Sequence, residues 1–105
     1  LVNAENSSAT FSFAKMAQNL RVATLVGQPT GGNQRGINGG AYFFVRLPAS
    51  RLEVDLPQIG YFPKPGLTEP RPDAGVTPDV LVPLRAEDIA TGRDAEMEAV
   101  LALIK

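Results

Sequence analysis

Two adjacent serines stand where the chain changes from a strand pattern to a helix pattern. Residues 1–3 are typical of the end of a buried strand, and residues 8–20 predict an amphipathic helix. Ser8 is therefore expected at a helix N-terminus, where unpaired N–H groups carry partial positive charge. Such groups stabilise an alkoxide or oxyanion, and the N–H of Ala9 is one candidate donor. From residue types alone, Ser7 or Ser8 as a simple helix cap, stabilising by about 1 kcal/mol, is favoured.

A glycine-rich loop is the second candidate for chemistry. The loop from Gly27 to Gly40 contains Thr30-Gly31-Gly32-Asn33, a composition that lets backbone approach a ligand closely. It lacks the lysine pattern of a phosphate-binding loop, so nucleotide binding is a weak interpretation. Taken alone, the loop is best interpreted as a connection between strands.

Three acids lie near the end of the predicted sheet: Glu69, Asp73 and Asp79. A buried carboxylate at such a place would orient a histidine supplied from elsewhere. More often these side chains are solvated or accept hydrogen bonds from turn N–H groups. Asp79, which follows Pro78, is predicted to form a turn.

The composition excludes several kinds of chemistry. The 105 residues contain neither cysteine nor histidine, so disulfides, cysteine catalysis and a self-contained Ser-His-Asp triad are impossible, and no metal site is predicted. The net charge is −1, from 10 basic and 11 acidic residues, with no basic stripe that would indicate nucleic acid. No cofactor is expected. The chain also begins without a methionine, which suggests a fragment or a processed product.

The remaining elements alternate between strands, turns and helices. Strands are predicted over residues 21–26, 41–47, 52–56 and 80–82, the third continuing over 58–62. Four prolines make 63–77 irregular. A helical turn is expected over 86–91, and Asp94 is predicted to cap a last helix to Lys105 with Met97, Val100, Leu101 and Ile104 on one face. The strand–helix–strand order at the start predicts parallel pairing.

Three segments in this order resemble the C-terminal processing, or tail-specific, peptidase family. They are LVNAENSSATFSFA at residues 1–14, ATLVGQPTGG at 23–32 and AGVTPDV at 74–80. The first places Ser8-Ala9 at the family's serine. The second is similar to a Gly-Glu-x-Thr-x-Gly loop, with Gln28 in place of the usual glutamate.

The resemblance favours the histidine-dependent branch, which includes tricorn-like peptidases and the repeats of interphotoreceptor retinoid-binding protein. In the other branch a catalytic lysine stands at the position of Asn33, and Lys15 lies inside the predicted helix. The resemblance therefore implies a Ser8 nucleophile and a histidine from an upstream segment. It implies Glu69 or Asp73, about equally, as the orienting acid, Ala9 with an upstream glycine as oxyanion donors, and Gly31 and Gly32 lining the cleft.

The resemblance implies that residues 1–105 are the C-terminal part of a serine endopeptidase catalytic domain, inactive alone. The expected fold is α/β, a mixed sheet with flanking helices, as in crotonase-like or ClpP-like peptidase cores. A peptide or protein substrate, the upstream part of the same polypeptide and an extracytoplasmic location follow from the same resemblance. The alternatives are a non-catalytic module that binds a peptide or an apolar ligand, and an interaction domain that associates with itself.

Overall fold

The computed structural model describes residues 1–63 and 71–104. These residues form two compact units, one of Leu1–Gly32 with Ala74–Lys105 and one of Asn33–Asp73. The first unit carries the helices and the parallel strands, whereas the second carries an antiparallel pair.

Parallel pairing holds the first unit together. Strand β1 (Val26–Gly27) pairs in parallel with β4 (Val80–Leu81), and on its other side Gly27 forms a parallel bridge with Val2. Helix α1 (Ser8–Asn19) connects Val2 to β1, so the predicted parallel pairing across a helical crossover is confirmed. The α/β fold class is likewise confirmed, with parallel and antiparallel pairs in separate two-stranded sheets.

The apolar stripe predicted on helix α1, which is Phe13, Ala17 and Leu20 with Ala14 beside them, is buried only at the two alanines. Phe11, Ala14 and Ala17 are buried, whereas Phe13 and Leu20 are 67% and 65% exposed. The helix has apolar residues on more than one face, so a 3.6-residue period does not by itself select the buried stripe.

The strand predicted over residues 21–26 is wrong for most of its length. Arg21 has φ +54°, its N–H donates to the carbonyl of Gln18, and the N–H of Val22 donates to the carbonyl of Ala17. These two bonds form a Schellman motif that ends α1. Arg21 and Val22 therefore belong to the helix C-terminus and not to the predicted strand. Only Val26 and Gly27 pair as a strand.

Thr30 and Val76 join the glycine loop to the segment before β4. The N–H of Thr30 donates to the carbonyl of Val76 at 3.1 Å, and the N–H of Val76 donates to Thr30 Oγ1 at 2.8 Å. Both residues are buried, and a side chain at Gly75 would overlap the carbonyl oxygen of Thr30. Glycine at position 75 is therefore required for this close approach.

Asp79 is a long-range anchor and not simply a turn former as predicted. Its carboxylate accepts hydrogen bonds from the N–H of Leu25 at 2.7 Å and from Gln18 Nε2 at 2.9 Å. The pKa of Asp79 is below its ordinary value, mainly because its carboxylate accepts the hydrogen bond from the Leu25 amide. The bond from Gln18 lowers this pKa further. Asp79 thus ties the end of α1 and the residue before β1 to the start of β4.

Acid is expected to weaken this anchor. Because the pKa of Asp79 is lower in the folded state, its stabilisation is complete above the unfolded value of about 4 and is lost as the pH falls through the folded pKa. Thermal unfolding midpoints measured against pH should therefore differ most between the wild-type and Asp79→Asn proteins above about pH 4, and the curves should converge below it. Parallel curves throughout the acid range would contradict this assignment.

Two short helices end the first unit. Helix α2 (Ala86–Thr91) and helix α3 (Ala95–Leu103) agree with the predicted positions, and the Asp94 carboxylate caps α3 by accepting from the N–H of Met97 at 2.9 Å. Arg93 bonds to the buried Asp88 and to Glu98, and so joins the two helices. The predicted apolar face of α3 is not buried within the described chain.

The second unit is a twisted ribbon of two strands. Strand β2 (Ile37–Arg46) pairs with β3 (Glu53–Tyr61) in antiparallel register, with a β-bulge between Gly39 and Tyr42. Residues 47–52 join the two strands, and β3 passes through Pro57, in agreement with the predicted continuation over 58–62. Strand β2 begins four residues earlier than predicted, inside the glycine-rich segment, and β3 is exposed along its whole length instead of half-buried.

None of the described helices is both long and apolar enough to cross a membrane.

Candidate active site

A tight, internally hydrogen-bonded turn connects the Val2 bridge to α1. The N–H of Asn3 donates to Asn6 Oδ1 at 2.8 Å, and the N–H of Asn6 donates to the carbonyl of Asn3 at 3.0 Å. The N–H of Glu5 donates to Asn3 Oδ1 at 2.9 Å, and the N–H of Ser7 donates to the carbonyl of Glu5 at 3.0 Å. Five residues thus reverse the chain direction with most of their polar groups used locally.

Ser8 is the first residue of α1, as predicted, and its backbone is strained. Its φ is +53°, in the left-handed region that non-glycine residues seldom occupy. Holding such a residue costs of order 1–3 kcal/mol, and strain of this kind is concentrated at functional sites. Ser8 is an exposed residue.

The two serines do not cap the helix with their side chains. Ser7 occupies the N-cap position in an extended conformation, but no side-chain cap bond forms there. Its carbonyl instead accepts from the Thr10 hydroxyl at 2.8 Å. The simpler interpretation of these serines as side-chain caps is therefore wrong.

The first amides of α1 are unpaired. Among the residues that the structure describes, the N–H groups of Ser8 and Ala9 donate no hydrogen bond, whereas those of Thr10 and Phe11 donate to the carbonyl of Ser7. Both residues are exposed. Unpaired amides at a helix N-terminus attract negative charge, as an oxyanion site requires. The role predicted for Ala9 is compatible with this geometry and stays a prediction.

The glycine loop lies against the serine turn. A side chain at Gly31 would overlap the carbonyl oxygen of Ala4 and would lie 3.5 Å from Ser7 Cβ. A side chain at Gly32 would lie 3.6 Å from the Phe11 ring. Gly31 thus packs directly beneath the residues that present Ser8, and glycine is required for that contact. The structure therefore brings Ser8, Ala9, Gly31 and Gly32 into one region of the first unit.

Of the two predicted acids, the structure describes only Asp73, which belongs to the second unit. Glu69 lies outside the described residues. Asp73 closes the second unit, where its carboxylate pairs with Arg35 of the same unit, Nη2 lying 2.8 Å from Oδ2. Arg35 holds the pKa of Asp73 below its ordinary value through this hydrogen-bonded pair. Both side chains are exposed, so the pair contributes little to stability.

Some contributors to the site were not predicted from the sequence. Asn3 and Asn6 build the turn before Ser8, although asparagine's tendency to bond neighbouring backbone was a usable signal. Gln28, the residue in place of the family's glutamate, donates to Glu96 Oε1 of α3 at 3.0 Å. No sequence pattern links these last two positions. The described residues contain no cluster of acids that could hold a metal ion.

A tight turn after the Val2 bridge leads to an exposed, strained serine that opens a helix, a strand–turn–helix order that the nucleophile elbow of α/β-hydrolases also has. The family model for peptidase family S41 matches residues 1–82, a segment that includes all three motifs of the sequence. The chain therefore belongs to peptidase family S41, a family of serine peptidases. Neither the curated proteins nor the solved structures include a match to it.

Proposed function

We propose that this chain carries the nucleophile of a serine endopeptidase, and that Ser8 is that nucleophile. The observation that carries the proposal is Ser8 itself: an exposed serine at φ +53°, at the first position of α1, in a chain of peptidase family S41. A serine in the left-handed conformation, at a helix start with unpaired amides, lowers the stability of the fold. A role of Ser8 as the nucleophile of acyl transfer would explain why the strained conformation is kept.

The reaction would proceed by attack of Ser8 Oγ on the carbonyl carbon of a peptide bond. The general base accepts the serine proton, and the carbonyl oxygen becomes an oxyanion that the N–H of Ala9 stabilises. The same base then protonates the leaving amine, and water hydrolyses the acyl-enzyme. Gly31 and Gly32 supply a surface without side chains next to the serine turn.

The general base in this proposal is a histidine from an upstream segment of the same polypeptide, as in the histidine-dependent branch. The 105 residues contain no histidine, and Asn33 stands where the other branch has lysine. Glu69 and Asp73 remain the proposed orienting acids. Asp73 would have to exchange Arg35 for the imidazole. By itself the chain is expected to be inactive, because it has no base.

A non-catalytic binding module is the second proposal. The observation in its favour is that the Asp73 carboxylate is already occupied by Arg35. The surface next to Ser8 would then hold a peptide or an apolar ligand without cleaving it. Self-association through the exposed apolar side chains and an extracytoplasmic location are further proposals, the second resting on the family resemblance alone.

A fluorophosphonate reagent separates the two proposals. The intact protein that contains this chain is incubated with the reagent, digested and examined by mass spectrometry for the modified residue. A peptidase should be modified at Ser8 and not at Ser7 or Ser12, which are chemically identical side chains nearby. Absence of modification, together with retained peptide binding, would instead support the binding module.

A further inference from the structure

The side chains of Asn3 and Asn6 both bind backbone amides of the turn that precedes Ser8. Each side-chain oxygen accepts a backbone N–H within the turn: Asn6 Oδ1 from Asn3 at 2.8 Å, and Asn3 Oδ1 from Glu5 at 2.9 Å. The backbone bond from Asn6 to the carbonyl of Asn3 closes the same ring of contacts. Both asparagines are half-buried, so solvent competes only in part for these bonds.

We infer that Asn3 and Asn6 are positioning residues for the nucleophile, acting as a reciprocal clamp that holds Ser8 in its left-handed conformation. A strained φ persists only where the surroundings determine it. Neither Ser7 nor Ser8 is fixed by a side-chain cap. The clamp lies immediately before Ser8, and its first residue adjoins Val2, which is fixed on β1 by two backbone bonds at 2.9 and 2.8 Å.

The clamp also explains why an amide suits these positions better than a carboxylate. Both side chains serve as acceptors, which an aspartate would also do. A carboxylate, however, would place negative charge near the unpaired amides of Ser8 and Ala9. That charge would compete with the oxyanion for the same positive potential. The catalytic part of this inference rests on the proposed function.

The test uses Asn6→Ala, Asn6→Asp and the control Asn19→Ala in the intact protein. Asn19 ends α1, and its side chain makes no hydrogen bond within the described part of the chain. Two quantities are measured for each variant: kcat and KM on a peptide substrate, and hydrogen exchange of the backbone amides at residues 3–10.

Asn6→Ala is expected to lower kcat about 100-fold with KM within about twofold, because misplacing a reacting group by about 1 Å costs this much. Exchange of the hydrogen-bonded turn amides, those of Asn3, Glu5, Asn6 and Ser7, should become about tenfold faster, while exchange in β1 and β4 stays unchanged. Asn6→Asp keeps the acceptor, so its exchange should match the wild type, and its kcat should lie between those of the wild type and Asn6→Ala. Asn19→Ala should leave both quantities unchanged.

The clamp is refuted by wild-type exchange in Asn6→Ala, or by equal exchange rates in the alanine and aspartate variants. If the unsubstituted protein cleaves no peptide, the proposed function fails. The exchange comparison would still decide whether the clamp holds the Ser8 turn.

Discussion

Replacing Ser8 by alanine is expected to lower kcat of the intact protein about 10⁶-fold, the loss found when a serine nucleophile is removed from a complete catalytic unit. Alanine removes the hydroxyl and leaves the amides of α1 in place, so KM should change little. Ser8 is exposed, so the fold should not depend on its hydroxyl. Steady-state kinetics on a fluorogenic peptide, with circular dichroism of both proteins, measures the effect.

Ser12→Ala is the matched control for this prediction. Ser12 is an exposed serine one turn further along α1, and its loss should change kcat less than about twofold. Undiminished turnover in Ser8→Ala would remove Ser8 from the mechanism. An equal loss in both variants would point to a helix effect and not to a nucleophile.

Gly75→Ala is expected to give the largest loss of stability. The new methyl group would overlap the carbonyl oxygen of Thr30 and lie 2.8 Å from Thr30 Oγ1. Thr30 is held in place because its N–H donates to the carbonyl of Val76 and its Oγ1 accepts from the N–H of Val76. Backbone atoms cannot rotate away as a side chain does. We expect a loss of about 3 kcal/mol in the free energy of unfolding. For a domain of about 100 residues, this lowers the unfolding midpoint by roughly 15 °C.

Gly39→Ala is the control, because any glycine-to-alanine substitution lowers the conformational entropy of the unfolded chain. A methyl group at residue 39 would lie 3.6 Å from the Tyr42 hydroxyl, an ordinary contact distance. Its effect on the free energy of unfolding should stay within about 1 kcal/mol. Equal thermal midpoints for the Gly75→Ala and wild-type proteins would show that the Thr30–Val76 contact tolerates displacement.

Local signals in the sequence predicted the elements that depend on local interactions. Helix α1 begins at Ser8 because a polar turn precedes an apolar period, and Asp94 caps α3 because its acceptor reaches the amide three residues on. The strand–helix–strand order was sufficient to predict the parallel bridge between Val2 and Gly27. Each of these depends on residues that are close in sequence, or on a topological rule.

The errors arise where several local structures are compatible with the same residues. Arg21 and Val22 suit a strand, but they close α1 in a Schellman motif with Arg21 in the left-handed region. Phe13 and Phe11 both fit a helical period, and packing selects Phe11. Sequence patterns do not contain the tertiary contacts that decide between such alternatives.

Long-range hydrogen bonds within the first unit were the least predictable. Asp79 looked like a turn residue because its partners, Leu25 and Gln18, lie more than 50 residues away in sequence. The bond from Gln28 to Glu96 spans 68 residues and leaves no local pattern. Motif order therefore located Ser8 and the glycine loop, whereas these long-range bonds could be found only in the structure.

The left-handed backbone at residue 8 implies a trade-off between the stability of the fold and the proposed catalytic activity. Glycine would adopt this conformation without the penalty of about 1 kcal/mol or more that a side chain brings. Selection for a longer-lived fold alone would therefore replace the serine with glycine and remove the hydroxyl that we propose as the nucleophile. A search for thermostable variants that ignores activity should accumulate substitutions at this position first, and such enrichment would mark the residue that the protein keeps for reactivity.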